Sequence, residues 1–222
     1  WLELKSLMSQ LLIHRGIVSK KYKENLLKSF KQSFKKGYGI ETDIHATKDN
    51  EFVCFHDFTL NRIFKRKKSI KELNYSKIKK ISIQNNKPIP LLKDLLKTSK
   101  NKYPIFIEIK PYLSKKLLIK LVKETARYSN CVFISFKHKN IFNLLKIKRN
   151  LKVGLSFSAS ESIKKIIKKT NNKKIYCLIL DKFFLKSKII QNLKIEKYYY
   201  TIKNKSEFKK YKKNNNLIFE NL

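Results

Sequence analysis

Glycine and proline are both scarce in this chain, with only four of each among 222 residues. This composition excludes collagen-like proteins and Pro/Gly-rich low-complexity proteins. No uninterrupted run of about 18 apolar residues occurs, so the sequence predicts no transmembrane helix. The first apolar stretch is broken by Glu3 and Lys5, and we therefore expect no secretory signal.

Cysteine is also rare. The chain contains Cys54, Cys131 and Cys177, and each lies within an apolar run. Three cysteines are too few to form the disulfide framework of a secreted domain of this size. We expect them to be buried free thiols in a reducing compartment, and we predict a cytoplasmic protein.

Acidic residues are few, 16 against 53 basic ones, which gives a net charge of +37. Such a charge suits a protein that binds nucleic acid or an anionic membrane. The alternative is a lysine-biased composition spread over every solvated face. We favour the second interpretation, because arginine is scarce and lysine occurs throughout. This interpretation predicts attraction of anionic small substrates, weak association with anionic membranes and no specific nucleic-acid binding. The sequence leaves the oligomeric state open.

Short apolar segments alternate with segments of helical spacing. Because 42% of the residues are hydrophobic, the chain can form a core and is not disordered. The alternation predicts βαβ units and a parallel sheet. The predicted strands are residues 10–13, 39–44, 52–55, 105–109, 131–136, 151–157, 175–180, 198–202 and 217–219, and the predicted helices are residues 25–34, 114–127, 160–169, 186–193 and 206–213.

The number of strands predicts a closed barrel. If residues 52–55 pair with the preceding strand as a hairpin, eight strands remain, which is the number in an α/β TIM barrel, (β/α)₈. An open doubly wound sheet is the alternative. Residues 64–90 interrupt the alternation, and we interpret them as a short insertion after the second strand, with a lid as one role. We expect a single domain over residues 1–222, with residues 1–10 available to cover the barrel bottom.

Four predicted strands end in residue types that are typical of catalysis. The motifs LLIHRG, GIETDIH, FVCFHD and IFIEIKP place seven such residues at strand ends: His14, Arg15, Glu41, Asp43, His56, Glu108 and Lys110. In a (β/α)₈ barrel the C-terminal ends of the strands form the active site. We therefore expect these seven side chains to surround one cavity.

The chemistry of this set suits hydrolysis of a phosphate ester. Glu41 and Asp43 are two residues apart, so both point to the same face of a strand. Two such carboxylates repel each other unless a cation lies between them, and divalent ions prefer carboxylate oxygen. We predict one ion, Mg²⁺ or Ca²⁺, held with Glu108 as a third ligand. The remaining residues divide into phosphate-binding cations and a histidine acid–base pair: Arg15 and Lys110, and His14 and His56.

The same segments resemble the glycerophosphodiester phosphodiesterase family. The similar motifs occur in the family's order over the first half of the chain: HRG at 14–16, EN at 24–25, ETDIHATKD at 41–49, FHDFTLNR at 55–62, IPLLKDLL at 89–96 and IEIKP at 107–111. The resemblance implies a (β/α)₈ barrel with an insertion after the second strand. It implies metal binding by the three acids, acid–base catalysis by the two histidines and phosphate binding by Arg15 and Lys110.

The family's reaction splits a glycerophosphodiester into glycerol 3-phosphate and an alcohol. The glycerol 2-hydroxyl attacks phosphorus, and water then opens the cyclic phosphate. Within the matched motifs, we expect Glu24 and His45 to support the site, with a structural hydrogen bond at the strand exit as the alternative for His45. We expect Asp57 to orient the preceding histidine or to cap a turn. We also expect Asn25 to cap the first helix and His138 to be solvated in a lysine-rich loop.

The second half of the chain departs from the family pattern. Tyr200 stands where tryptophan is usual, Lys203 and Asn204 lie near the place of the family's W-T-V-N, and IFENL at the end lacks T-D-x-P. The preferred head group is therefore left open. One alternative function is a lysophospholipase D-type hydrolase at a membrane surface, which requires an exposed apolar lip beside the site. A basic nucleic-acid-binding protein is the other, and it requires focused arginines and aromatics.

Overall fold

The alternation of strands and helices is present in a computed structural model of the chain, which describes residues 9–20, 22–171 and 174–220. Within these ranges the strands are β1 (Leu11–His14), β2 (Gly39–Ala46), β3 (Phe52–Cys54), β4 (Ile105–Ile109), β5 (Cys131–Ser135), β6 (Val153–Phe157), β7 (Cys177–Asp181), β8 (Glu196–Ile202) and β9 (Asn216–Phe219). The α-helices are α1 (Leu27–Lys35), α2 (Asn61–Phe64), α3 (Tyr75–Gln84), α4 (Leu92–Ser99), α5 (Lys115–Thr125), α6 (His138–Ile147), α7 (Ile163–Thr170), α8 (Lys188–Gln191) and α9 (Lys205–Tyr211). Two 3₁₀ turns cover Ile70–Glu72 and Lys182–Lys186.

Eight of these strands form a closed parallel barrel. Their order is β1-β9-β8-β7-β6-β5-β4-β2, and β1 pairs with β2 to close the ring. The ninth strand, β3, pairs antiparallel with β2 as a hairpin extension. The predicted (β/α)₈ architecture is thus confirmed and the open sheet is excluded. Within the described ranges no helix combines the length and the apolar content needed to cross a bilayer.

Alternation along each strand divides the core into two layers. One layer lies inside the barrel and contains Leu12, Phe106, Val132, Ile134, Cys177, Ile179, Tyr198 and Ile218. The other lies between the strands and the helices and includes Ile40, Ile107, Phe30 and Leu118. Because successive side chains point to opposite faces, a residue two positions beyond an interior residue also points inward. The interior layer is therefore the floor on which any site at the strand ends must stand.

The segment at residues 64–90 packs in an apolar cluster of its own. Helix α3 and the Ile70–Glu72 turn pack through Ile78 and Ile70 against Val53 in β3 and Phe55 just beyond it. The three cysteines are buried and free, as predicted. Of the N-terminal residues expected at the barrel bottom, residues 1–8 lie outside the described ranges. Gln10 is within the described ranges and lies at the barrel bottom, where its carbonyl accepts a hydrogen bond from the Leu217 amide.

Two predictions about local structure are wrong. Asn25 does not cap the first helix, because α1 begins after Leu26 and Asn25 is buried with a left-handed φ of 56°. Its side chain serves the site described below instead. His138 is not solvated in a loop, because it begins α6, is half-buried and has its Nε2 2.9 Å from the Ser156 carbonyl oxygen. The lysines around His138 obscured the apolar face of that helix.

The interior layer generates a stability prediction. Phe106 is buried beside Tyr198, with ring centroids 4.6 Å apart. Phe106→Ala should lower the free energy of unfolding by about 3–5 kcal/mol, because the cavity cannot collapse inside a closed ring of strands. The matched control is Phe183→Ala, since Phe183 is 68% exposed and its loss should change stability by less than about 0.5 kcal/mol. Equal denaturant midpoints for the two variants would show that the barrel interior is not packed.

Candidate active site

Three acidic side chains meet at the C-terminal ends of β2 and β4. Asp43 pairs in register with Glu108, and Glu41 lies two residues before Asp43 on the same face. One carboxylate oxygen from each residue lies within 4.8 Å of the others. Glu41 and Asp43 are buried and Glu108 is nearly so. This is a cluster of three acids in a site with little access to water.

Two cations lie against the acid cluster. Arg15 Nε is 3.1 Å from Asp43 Oδ2. Lys110 Nζ is 2.9 Å from Glu108 Oε1 and 3.5 Å from Asp43 Oδ1. Glu41 Oε2 is buried and has no hydrogen-bond partner among the described residues. Two positive charges therefore face three acids, and one negative charge is left uncompensated when all three are ionised.

Because the two cations do not compensate the three acids equally, the pKa values of the three acids differ. Burial, reinforced by Asp43, raises the pKa of Glu108 to about 7. Burial also raises the pKa of Glu41 well above its usual value, with Asp43 and Glu108 adding to the effect. Burial opposes ionisation of Asp43 too, but Arg15 and Lys110 outweigh it and hold the pKa of that carboxyl below its usual range. Negative charge in the cluster is thus centred on Asp43.

His14 is held by an acid from the other end of the chain. Its Nδ1 lies 2.5 Å from Glu220 Oε2, just beyond β9, and its Nε2 lies 3.8 Å from Glu41 Oε2. Glu220 also pairs with Lys203, whose Nζ is 2.9 Å from Oε1. The hydrogen bond with His14 lowers the pKa of Glu220 to about 2, with burial opposing it and Lys203 assisting. An ionised carboxylate therefore faces one ring nitrogen of this histidine.

His56 has the same kind of partner, supplied locally. Its Nδ1 lies 2.6 Å from Asp57 Oδ1, as the sequence predicted. Arg62 Nε donates to Asp57 Oδ2 at 2.6 Å, and Arg62 Nη2 donates to Glu24. Glu24 in turn lies 3.4 Å from Arg15 Nη1. Burial lowers the pKa of His56, which Asp43 and Asp57 partly offset. A continuous chain of charged groups thus connects the histidine to the cation beside the acid cluster.

The loop after β1 has a backbone shape that depends on glycine. Arg15 and Gly16 both have left-handed φ angles, 56° and 75°. A Cβ on Gly16 would lie 3.0 Å from atoms of Ser29 and Phe30, so only glycine fits there without strain. The turn directs Arg15 back over the barrel, where its amide donates to the Glu41 carbonyl at 2.9 Å.

Buried polar residues hold Asp43 of the acid cluster and the loop that carries His56. Asn25 Nδ2 donates to Asp43 Oδ2 at 3.2 Å, and Thr42 Oγ1 donates to Asn25 Oδ1 at 2.8 Å. His45 Nε2 lies 3.1 Å from the His56 carbonyl oxygen, and burial lowers the pKa of His45 to about 4. His45 therefore stays neutral at physiological pH and joins β2 to the loop that carries His56.

One cavity of about 260 Å³ brings the predicted residues together. Six of the seven strand-end residues line it: His14, Arg15, Glu41, His56, Glu108 and Lys110. Asp43 lies beneath them, buried. The opposite wall is formed by Ile134, Phe136, Ile179, Tyr200, Thr201, Lys203 and Ile218. One side of the cavity is thus charged and the other largely apolar.

Sequence analysis missed Glu220 as the partner of His14 and Arg62 as the partner of Asp57. Glu220 could have been found by the rule that found the others, since it stands two positions beyond the interior residue Ile218. The last segment departs from the family motif, so the resemblance gave Glu220 no role. Arg62 ends the matched motif FHDFTLNR, but its role was not predicted, because it depends on how the β3–α2 loop folds.

The raised pKa of Glu108 generates a prediction about stability and pH. In a chelator, the contribution of Glu108 to the free energy of unfolding should fall as pH rises from about 4.5 to about 7, because unfolded Glu108 has released its proton while folded Glu108 still holds it. Glu108→Gln removes this titration. As pH rises over this range, the variant should gain stability relative to the wild type, by about 3 kcal/mol or less. Urea unfolding at several pH values measures it.

The control for that experiment is Glu72→Gln, which removes an exposed carboxylate remote from the site. Bonds to Ser69 lower the pKa of Glu72, so its titration is complete below this pH range and the slope should be unchanged. A wild-type slope that Glu108→Gln leaves intact would mean that Glu108 ionises normally.

Comparison with known proteins places this chain in a family. A model of the glycerophosphoryl diester phosphodiesterase family matches residues 14–215. A protein of Caldanaerobacter subterraneus subsp. tengcongensis named glycerophosphodiester phosphodiesterase is 31% identical over 159 residues, which span 65% of this chain and 65% of that relative. The match thus spans just under two thirds of the relative's length.

Solved structures show the same fold. The glycerophosphodiester phosphodiesterase of Thermotoga maritima superposes with a TM-score of 0.80 at 23% identity, covering 96% of this chain and 94% of that one. An Oleispira antarctica phosphodiesterase, in complex with the product sn-glycerol-3-phosphate, superposes with a TM-score of 0.81 at 19% identity, covering 97% and 94%. The family match over nearly the whole chain leads to one conclusion: the chain belongs to the glycerophosphoryl diester phosphodiesterase family.

Proposed function

We propose that the protein is a metal-dependent phosphodiesterase that hydrolyses glycerophosphodiesters to glycerol 3-phosphate and an alcohol. Family membership supports the reaction class, and a relative of similar fold is described in complex with that product. The observation that carries the proposal is the cavity itself. Two histidines, each with a carboxylate on Nδ1, face the same space as a three-acid cluster and two cations. The proposed hydrolysis of a phosphodiester uses each of these groups.

The acid cluster has the donor set of a divalent-cation site. Its three carboxylates converge within 4.8 Å, and one buried Glu41 oxygen has no partner among the described residues. Because two cations face three acids, a divalent ion would remove the charge deficit that otherwise keeps protons on Glu41 and Glu108. Glu41, Asp43 and Glu108 would hold the ion, and Mg²⁺ and Ca²⁺ both accept such ligands. When bound, the ion neutralises phosphate charge and polarises a phosphoryl oxygen.

Arg15 and Lys110 would bind the phosphate. Both lie on the cavity wall, and each already pairs with an acid of the cluster. Binding of a phosphodiester would therefore extend an existing pattern of alternating charge. The planar Arg15 guanidinium suits two phosphate oxygens at once, whereas the Lys110 ammonium acts as a point charge.

The carboxylate partners define which ring nitrogen of each histidine moves protons. Asp57 and Glu220 accept hydrogen bonds from Nδ1 of His56 and His14, which leaves Nε2 of each ring for substrate. Arg62 and Lys203 hold these carboxylates in turn. An imidazole oriented in this way has a fixed tautomer and stabilised positive charge. Asp57 and Glu220 are thus positioning residues.

The reaction then follows from the two histidines. The lowered pKa of His56 favours its neutral form, so we assign it the role of base. It would take the proton from the glycerol 2-hydroxyl as that oxygen attacks phosphorus. His14 would protonate the departing alcohol as its P–O bond breaks, giving a cyclic phosphate. In the second step the roles reverse: His14 takes a proton from water, and His56 protonates the glycerol oxygen as the ring opens.

Substitution of the histidines tests this assignment. His14→Ala and His56→Ala should each lower kcat for glycerophosphocholine by at least ~10²-fold, the usual effect of losing a general acid or base. His138→Ala is the matched control, because His138 is half-buried but lies outside the cavity, and its kcat should stay near normal. Near-normal turnover in either cavity variant would show that the assigned pair is wrong. Circular dichroism checks that the variants fold.

The metal prediction has both an activity readout and a binding readout. Excess chelator should abolish hydrolysis, and one divalent ion should restore it. Calorimetry should detect binding of Mg²⁺ or Ca²⁺ to the wild type, and Asp43→Asn should weaken it by at least about tenfold, because the lost carboxylate carries most of the cluster's charge. Glu161→Gln, outside the site, should bind normally. Full activity in chelator would contradict metal dependence.

A reducing, cytoplasmic setting remains part of the proposal. It rests on Cys54, Cys131 and Cys177, which are buried free thiols of the kind found where disulfides are not formed. A small-molecule glycerophosphodiester is the proposed substrate. The compositional interpretation of the charge stays a prediction, and it assigns the protein no specific nucleic-acid partner.

A further inference from the structure

Several large apolar side chains are exposed on loops that follow strands at the mouth of the active-site cavity. We call four of them the mouth rim: Phe58, Tyr112, Phe136 and Phe183, which are 54%, 66%, 40% and 68% exposed. Each lies within four residues of the end of a strand: β3, β4, β5 or β7. Exposed aromatic side chains grouped on one functional face mark an interaction site. The rim therefore needs a partner.

The rim is continuous with the site that the proposed function uses. Phe136 lines the cavity and packs edge-on against Tyr200, with ring centroids 5.9 Å apart. Phe58 packs edge-on against His45 at 5.0 Å. Tyr112 lies two residues beyond Lys110. The rings stand on separate loops around an opening, so they form a broad surface with the cavity inside it rather than a groove beside it.

A basic loop lies directly beside this rim. Residues 65–68, with the sequence KRKK, are all exposed. Two backbone hydrogen bonds join the segments on either side of this loop. The Leu60 amide donates to the Lys68 carbonyl, and the Ile70 amide donates to the Phe58 carbonyl, each at 3.0 Å. On the other side of the mouth, Lys137 Nζ lies 5.2 Å from the Tyr112 ring centroid. Positive charge thus accompanies exposed aromatics on the same face.

We propose that the mouth rim and the basic loop dock the protein onto a bilayer containing anionic lipids, and that the site takes its phosphodiester from that bilayer as a lysophospholipid. Aromatic side chains suit the boundary between water and lipid because they combine an apolar ring with a polarisable face. Lysines and arginines are attracted to anionic head groups. The inference rests on the proposed function for its substrate, but the docking surface does not.

The net charge argues against the other occupants of this surface. A second copy of the chain would bring together two proteins that each carry +37, and such self-repulsion opposes association. Single-stranded nucleic acid would need aromatics in a row along a basic groove that follows the strand. The mouth rim instead surrounds an opening. An anionic bilayer is complementary in charge and can contact all the loops around the opening at once.

The binding test compares two double variants, one in the mouth rim and one elsewhere on the surface. Tyr112→Ser with Phe183→Ser removes rim residues outside the cavity wall. Ile83→Ser with Ile189→Ser is the matched control, since these side chains are 51% and 55% exposed on α3 and α8. Flotation with vesicles of phosphatidylcholine and phosphatidylglycerol at physiological salt should show at least ~10-fold weaker binding for the rim variant only. Equal binding by the two variants would overturn the docking surface.

A second pair of variants distinguishes a contact made by the basic loop from a general effect of net charge. Arg66→Gln, Lys67→Gln and Lys68→Gln remove three charges beside the rim. The control removes two lysines and one arginine in the last turn of α6 and just beyond it, at the opposite end of the barrel: Lys146→Gln, Lys148→Gln and Arg149→Gln. The loop variant should bind these vesicles several-fold more weakly than the control. Identical losses would mean that the whole charge acts, and they would contradict a specific basic contact.

An activity arm separates the docking surface from the proposed function. The rim variant should hydrolyse soluble glycerophosphocholine normally and lysophosphatidylcholine in the same vesicles at least ~10-fold more slowly than the wild type. Equal loss on both substrates would overturn the inference. A wild type that binds vesicles but hydrolyses neither substrate would overturn the proposed function and the lysophospholipid, and leave the docking surface intact. Preferential binding of a DNA oligonucleotide, weakened by the rim variant, would overturn the bilayer as partner.

Discussion

The rest of the site depends on three buried acids that face only two cations. Arg15 and Lys110 both pair with Asp43, and Lys110 also pairs with Glu108, but neither cation pairs with Glu41. Burial makes the deficit costly, because the low dielectric of the barrel interior does not screen it. The cluster resolves the deficit in one of two ways, by holding protons or by accepting a divalent ion. Ligand binding, charge and stability are therefore linked at this point of the fold.

The barrel explains how so many polar groups converge without destabilising the core. Site residues stand two positions beyond interior apolar residues on several strands: His14 beyond Leu12, Glu108 beyond Phe106, Glu220 beyond Ile218. The apolar layer packs the barrel interior, and the polar layer above it reaches the mouth. Alternation along a strand thus assigns one level of side chains to stability and the next level to chemistry.

Prediction from sequence succeeded where local pattern decides the outcome. Strand positions, the β3 hairpin and closure into a barrel follow from short apolar segments and their number. Residues that meet in the site but lie far apart in sequence were found only when a motif marked them, as with Asp43 and Glu108. Glu220 and Asn25 were missed, because their roles depend on side chains that only the closed barrel brings within reach. Helix α6 was missed because lysines mask its apolar face.

The pairing of His14 with Glu220 makes one half of the site a product of barrel closure. Residues 14 and 220 are 206 positions apart, whereas His56 has its partner in the next residue. During synthesis, His14, His56, the three clustered acids and Lys110 are all made before β6. His14 has no carboxylate on its Nδ1 until β9 has entered the sheet beside β1. A nascent chain therefore holds most residues of the site long before the site is complete, and the entry of β9 into the sheet is the step that completes it.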